Sequence, residues 1–245
     1  MIGSTDRIIL INKPLEWTSF DVVNKLKRPL LEEYKLLFPE SERKQIKKYK
    51  VGHAGTLDPL ATGLLVICTG KLTKTIQQIQ DAEKEYTGTI TIGAVTPSYD
   101  LETIPVDLKD FSHVSEVSII ELAKAMEGVQ QQIPPVHSAI KVDGQRAYTK
   151  ARQGIELELK SREIEIKEFE ITRINFPEIN FRVVCTKGTY IRSLANDFGK
   201  SLGVGGYLSA LCRTRIGEYV IANACSPGDF LAQLPGNNTF RTDKK

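Results

Sequence analysis

Cysteine is scarce in this sequence, and no two cysteines stand close together. Four occur among 245 residues, at positions 68, 185, 212 and 225, and none forms a C-x-x-C pair. That irregular spacing excludes a disulfide scaffold and a thiolate zinc site, and it predicts free thiols in a reducing compartment. Histidine is scarcer still. His53, His113 and His137 have no paired ligand spacing, so no metal centre is expected. Long apolar runs are missing too. The longest near the N-terminus is Ile8-Ile9-Leu10-Ile11, far short of a signal core or of the ~20 residues a membrane span needs, so a cytoplasmic protein is expected. The common phosphate and nucleophile signatures are also absent. Gly70-Lys71 has no glycine five residues earlier and no Ser or Thr after the lysine, and Gly203-Val204-Gly205-Gly206 follows a helical pattern rather than a strand. No G-x-S-x-G elbow is present.

What is present is the composition of a soluble globular protein, 41% hydrophobic and 26% charged. A chain of this length buries roughly 70–75% of its unfolded surface and needs no covalent staples. The net charge of +3 is too mild to identify a nucleic-acid partner by itself. Its distribution says more. Residues 43–50 carry five bases (Arg43, Lys44, Lys47, Lys48, Lys50) and no acid, whereas 97–128 carry seven acids against Lys109 and Lys124. Further basic groups lie at Lys141, Arg146, Lys150 and Arg152, and at Arg182, Lys187, Arg192, Lys200, Arg213 and Arg215. Segregation of this kind predicts one positive and one negative face.

Periodicity predicts interspersed strands and helices. Strands are expected over 7–12, 64–68, 84–95, 138–142, 163–174 and 179–185. Helices are expected from about Phe20 to Leu37 with Ser19 as cap and a break at Pro29, and over 118–128, 147–153 and 189–202, with a last one opened by Ser226-Pro227. Residues 38–52 and Gly52–Pro59 read as loop, and 207–220 mixes helix and strand signals. Without a strict βαβ alternation, this order predicts an α+β fold with a central mixed, largely antiparallel sheet flanked by helices and loops. A single catalytic-sized domain over 1–235 and a polar tail from Gly236 is the simplest partition.

One loop concentrates chemistry. Gly52-His53-Ala54-Gly55-Thr56-Leu57-Asp58-Pro59-Leu60-Ala61-Thr62-Gly63-Leu64-Leu65 follows the basic run and precedes a buried strand. Asp58 there is either a simple turn former, with Pro59 fixing the next φ, or a carboxylate held by a tight loop beside a phosphate-attracting surface.

This loop closely resembles the signature of the TruB-type tRNA pseudouridine synthases, G-H-x-G-T-L-D-P-x-A-x-G-x-L. Other stretches agree in order: Lys13-Pro14 with Thr18-Ser19, Lys84-Glu85-Tyr86 followed by Gly93 and Thr96, Pro134-Pro135 through Ser138-Ala139-Ile140-Lys141 to Tyr148 and Ala151-Arg152, and Lys187-Gly188-Thr189-Tyr190-Ile191-Arg192. The resemblance spans about residues 8–220. Glu16 stands where the family pattern has glycine, so a slightly different turn is expected there. The 25 residues after Val220 leave little room for the small RNA-binding PUA domain with which the bacterial family often ends.

The resemblance implies an RNA-modifying isomerase that converts a uridine in the T-arm loop of tRNA, at position 55, to pseudouridine. It implies Asp58 as the catalytic carboxylate, Arg192 as the cation paired with it and Tyr86 as the ring stacked on the flipped uracil. Tyr190 would line the same pocket, His53 would sit beside the flipped nucleotide, and Lys13, Lys141 and Arg152 would bind substrate, with 134–155 as an RNA-gripping insertion. No cofactor, metal or protein partner is implied, and the enzyme would be a monomer with tRNA as its partner. Two other readings share these residues: a guide-RNA-dependent subunit of the dyskerin type, and a catalytically silent RNA-binding module.

Overall fold

The computed structural model describes residues 5–136 and 159–235, and the backbone of 141–142 and 145–146. In chain order the elements are β1 (Ile8–Lys13), α1 (Ser19–Lys35), a single turn α2 (Glu40–Arg43), β2 (Val51–His53), β3 (Ala61–Thr69), a 3₁₀ turn (Gly70–Thr75) and α3 (Ile76–Asp81). There follow β4 (Lys84–Ile92), α4 (Glu116–Ala125), β5 (Gly128–Gln132), β6 (Lys141–Val142), β7 (Gln145–Arg146), β8 (Arg162–Asn175) and β9 (Glu178–Cys185). The chain ends with α5 (Ile191–Ser201), β10 (Gly206–Ile216), β11 (Tyr219–Val220), a 3₁₀ turn (Ile221–Asn223) and α6 (Pro227–Ala232). Two compact units result, Met1–Ala82 with Cys212–Lys245 and Glu83–Leu211. Residues 206–211 of β10 belong to the second unit and 212–216 to the first.

In the first unit the strand order is β1, β3, β10, with β2 also on β3 and β11 on β10. β1 runs antiparallel to β3 from Ile8↔Cys68 to Lys13↔Gly63. β3 is covered on both faces. Leu65 and Ile67 pack with Ile9, Ile11, Val22, Leu26, Leu30 and Phe230 on one side. Leu64, Val66 and Cys68 pack with Ala54, Ile79 and Ile216 on the other. That double burial is why Leu64–Cys68 reads as an uninterrupted apolar run rather than an alternation.

In the second unit the order is β10, β4, β9, β8, β5. β4 pairs antiparallel with β9 from Lys84↔Cys185 to Thr91↔Glu178. One face holds Ile90, Val183, Phe169 and Phe181 buried beneath α4 and α5, with Phe169 set edge-on to Phe181 at 5.8 Å and tilted on Phe198 at 5.6 Å. The other face carries Thr89 hydrogen bonded to Asn180, and Arg182 bridging Glu85 and Glu168. This gives the alternation seen in β4.

Four expectations need correction. The cap of α1 is Thr18, whose side chain accepts from the Asp21 N–H in a reciprocal capping box, leaving Ser19 for another task. α1 runs through Pro29 without a break. Gly52 and His53 are not loop but strand, recruited by β3 in the register Gly52↔Cys68 and His53↔Ile67. Residues 207–220 are strand, β10 and β11. The period is hidden because one buried position of β10 is taken by a charged residue, Arg213. The expected helix over 147–153, the turn at 143–144 and the tail from Gly236 lie outside the described residues. Among the described residues no helix is long and apolar enough to cross a membrane.

Candidate active site

The loop carrying Asp58 joins β2 to β3 within the first unit, and its backbone is held from three directions. Arg213, 1% exposed, donates Nη2 to Gly55 O (3.0 Å), Nη1 to Thr56 O (3.3 Å) and Nε to Leu64 O (2.9 Å). A planar guanidinium offers five donors in a fixed fork, so Arg213 can hold three carbonyls at once in one set geometry. From α1, the Ser19 hydroxyl accepts from the Leu57 N–H (2.8 Å) and donates to Leu57 O (3.2 Å). After Asp58, Pro59 O accepts from Glu16 N (2.8 Å) and from Lys13 Nζ (3.3 Å), and Asp58 O accepts from Ala61 N (3.1 Å).

Two glycines make this closeness possible. Gly63 has φ +100, and a Cβ there would lie 2.4 Å from Arg213 O, so no side chain fits. Gly55 has φ +101 and lies under the Arg213 guanidinium. Glu16 takes φ +66, the left-handed region, at roughly 1–2 kcal/mol. The turn is therefore made by a strained glutamate where the family pattern has glycine, and that strain aims its N–H at Pro59.

Lys13 is fully buried, with Nζ donating to Pro14 O (2.9 Å), Trp17 O (2.5 Å) and Pro59 O (3.3 Å). Burial lowers its pKa to about 8, against the opposing pull of the Asp58 charge. At neutral pH it remains an ammonium beside Asp58. His53, half-buried on β2, has its pKa lowered by burial and then by the Arg213 charge, with a hydrogen bond to the Gly55 backbone opposing. It is a neutral imidazole at neutral pH. The structure thus brings Asp58, Lys13 and His53 into one frame.

The second unit holds the other expected residues. Tyr86 lies on β4, buried, opposite Val183 of β9. Arg192 lies in the first turn of α5, 4% exposed. Within its unit its partners are Asp100, 5% exposed, at 3.6 Å, and Ser98 O, which accepts from Nη1 at 3.3 Å. Asp100 is fixed in turn by a small polar knot. Its Oδ1 accepts from Glu102 N (3.0 Å), and Ser98 and Thr103 exchange backbone-to-hydroxyl bonds of 3.0 and 3.1 Å. Tyr190 caps α5, and Gln132 grips its backbone from both sides, accepting from its N–H (2.8 Å) and donating to its carbonyl (3.0 Å). The Arg162 guanidinium sits 5.2 Å from the centre of the Tyr190 ring, a cation–π contact. Lys141 lies on β6, described as backbone, and Arg152 lies outside the described residues.

Four residues that hold the expected ones within their own units were given no such role by the sequence: Arg213 and Ser19 in the first unit, and Asp100 and Gln132 in the second. Arg213 leaves one trace, a charge inside an otherwise strand-like run. Asp100 stands in the sequence among the acids of a solvated face. Among the described residues no group of three or more His, Cys, Asp or Glu side chains could hold a metal ion.

Residues 43–191 match the family model of the TruB family pseudouridylate synthase N-terminal domain. The chain belongs to the TruB family. It is 56% identical over 218 residues to a tRNA pseudouridine synthase B of Flavobacterium johnsoniae, covering 89% of this chain and 91% of that protein. It is 50% identical to a tRNA pseudouridine synthase B of Parabacteroides distasonis, over 92% of this chain and 93% of that one. Among solved structures it resembles a chain of a Cbf5-Nop10-Gar1 complex, with a TM-score of 0.61 and 30% identity over 87% of this chain. A chain of an archaeal box H/ACA sRNP Nop10-Cbf5 complex is similar at 26% identity and a TM-score of 0.61. The TruB chain spans about half the length of these solved chains, 49% and 51%. The α+β fold with its many-stranded sheet is thus that of a pseudouridylate synthase, and the chain is placed among enzymes that isomerise uridine.

Proposed function

We propose that this TruB family chain isomerises a uridine in the T-arm loop of tRNA to pseudouridine, acting alone on a flipped-out base. The observation that carries this is the Asp58 loop: a half-buried carboxylate whose neighbours Gly55, Thr56, Leu57 and Pro59 are each tied down through the backbone. The high identity to proteins called tRNA pseudouridine synthase B supports the choice of RNA.

In the reaction the N1–C1′ bond of the nucleotide breaks, the uracil turns, and a C5–C1′ bond forms. The C5 proton is lost and N1 gains one, so atoms and electrons balance without a redox partner. The Asp58 carboxylate stabilises or covalently traps the detached fragment. By the resemblance, Arg192 is the cation that keeps that carboxylate ionised, and Tyr86 is the ring that stacks on the base. Lys141 and Arg152 hold the RNA backbone. Extracting the base costs a few kcal/mol, recovered from phosphate contacts along the basic segments.

The test is direct. The purified chain is mixed with an unmodified tRNA transcript tritiated at C5 of its uridines, and tritium release is followed. Release of one equivalent per tRNA from the T-arm loop, without added protein or guide RNA, is expected. Release only after a guide RNA and partner proteins are added would establish the dyskerin-type reading instead. Tight tRNA binding with no release would leave a silent binding module.

Tyr86 gives a graded prediction. If its ring stacks on the base, Tyr86→Phe keeps most of kcat and Tyr86→Leu loses about 10- to 100-fold, the ~1–3 kcal/mol worth of one stacked base. Equal loss in both variants, measured by single-turnover rates, would assign the hydroxyl rather than the ring.

A further inference from the structure

The first unit has a concave feature well away from Asp58. A cavity of about 450 Å³ is framed by Lys48, Lys50, Lys71 and Lys74, with Tyr34, Phe38 and Tyr49 as its apolar wall. It lies where β2 begins and β3 ends, since Gly70 N donates to Lys50 O at 2.8 Å. The Asp58 loop is at the opposite end of that hairpin. β3 has nine residues, and at ~3.3 Å each the two ends stand roughly 25–30 Å apart. A nucleotide held at Asp58 cannot reach this cavity.

The cavity is built rather than incidental. Tyr49 is buried, stacks on Tyr34 with ring centres 4.5 Å apart and planes 15° apart, and donates its hydroxyl to Thr5 O at 2.8 Å. Burial raises the Tyr49 pKa, which keeps that donor protonated. Phe38 meets Tyr34 edge-on at 5.2 Å. Thr5 is held a second time through its carbonyl, which accepts from Thr69 Oγ1 at 2.9 Å. Thr5 is itself a lining residue, 8% exposed, and its buried Oγ1, close to Tyr49, makes no well-formed hydrogen bond. A buried hydroxyl without a well-formed bond is a site waiting for one. None of the four lysine ammoniums forms an ion pair among the described residues, and all four are exposed. Asp6 brings a carboxylate to the lining, but it is drawn inward, to the Tyr49 hydroxyl at 3.4 Å and over Gly70, where a Cβ would meet its Oδ1.

Four unpaired point charges on flexible stems, with no arginine fork among them, suit an anion whose orientation is not specified. We propose that this cavity binds phosphate of the RNA backbone, at a part of the substrate remote from the reacting nucleotide. This rests on the RNA substrate proposed above and adds a second contact that sets affinity rather than rate. It joins the basic run before β2 to Lys71 and Lys74 after β3, which the linear sequence keeps about twenty residues apart. Free nucleotides carry the same phosphate chemistry and are the other source to be distinguished.

The test uses the full chain with Lys48, Lys50, Lys71 and Lys74 all changed to Gln. The control is Lys25→Gln with Lys27→Gln, two exposed lysines on α1. Affinity for tRNA is measured over a salt series, and ADP binding is measured by calorimetry. In the quadruple variant tRNA affinity is expected to fall about tenfold or more near 0.1 M salt. The log–log salt slope should flatten by roughly 3, at ~0.7–0.9 for each of up to four phosphates that are no longer neutralised. The rate at saturating tRNA should stay within about twofold, and the control should show neither change. An unchanged slope and affinity in the quadruple variant would overturn the proposal. So would micromolar ADP binding that vanishes in that variant while tRNA affinity is kept, because the cavity would then serve a free nucleotide. Wild-type turnover is recorded alongside. A wild type that binds tRNA through these lysines but releases no tritium would remove the proposed reaction and leave the RNA site standing.

Discussion

Asp58→Asn is expected to bring pseudouridine formation below detection while tRNA affinity stays within about threefold. The amide has the shape of the carboxylate, and the bonds that hold the loop run through other groups. Arg213 grips Gly55, Thr56 and Leu64, Ser19 grips Leu57, and Glu16 with Lys13 grips Pro59. The variant therefore removes one charge and one nucleophile from an unchanged frame. A side effect has a calculable sign. The Asp58 charge raises the pKa of Lys13 against the effect of burial, so in the variant that pKa drops further below about 8 and the ammonium begins to lose its proton near neutrality. Single-turnover rates should therefore be taken at pH 6 as well as pH 8. The lower pH favours the Lys13 ammonium in both proteins, so a rate absent at pH 6 as well as at pH 8 is assigned to Asp58 itself. A tenth of the wild-type rate surviving at pH 6 would withdraw Asp58 from its role.

How much of this is legible in the sequence depends on the range of the forces involved. The β3 run, the amphipathic pattern of α1 and the Ser226-Pro227 start of α6 follow from local periodicity and capping, and the structure keeps them. The Asp58 loop is visible as a run of motif residues, because a tight loop needs glycines at fixed places. What holds it is not visible. Arg213 is 158 residues from Gly55 and 157 from Thr56, and Ser19 is 38 from Leu57. No local pattern encodes such pairs. Ser19 misleads for a physical reason: Ser at a helix start is ordinarily the cap, but Thr18 takes that place and frees the Ser19 hydroxyl for the loop. β10 misleads because Arg213 occupies a strand position that normally belongs to an apolar side chain. Asp100 is hidden by its neighbours, since seven acids in one stretch look like a solvated face even when one of them is buried against Arg192.

That last pair yields the other large effect. Arg192 and Asp100 are nearly sealed from water, 4% and 5% exposed, and face each other at 3.6 Å. Removing Arg192 leaves the Asp100 carboxylate buried without the guanidinium it faces, and removing Asp100 takes a buried carboxylate away from that guanidinium; breaking a buried pair in this way costs roughly 3–5 kcal/mol. Asp100→Leu is thus expected to lower the unfolding midpoint markedly and to reduce kcat by at least about 100-fold. Arg192→Lys should fail comparably in turnover, because a point charge cannot serve Asp100 and the Ser98 carbonyl from one planar group. Loss of activity in either variant alone could come from a damaged fold, so the double variant Arg192→Met with Asp100→Leu decides. Buried ion pairs exchanged for apolar side chains of similar volume are often neutral or stabilising. The double variant should recover most of the lost unfolding midpoint, in a cycle where each single change is additive only if the two side chains do not interact. It should recover none of the turnover, since the guanidinium proposed to keep Asp58 ionised is gone. Thermal unfolding and single-turnover rates on the four proteins of the cycle separate the two roles. Activity that returned together with stability in the double variant would make Arg192 a purely structural residue.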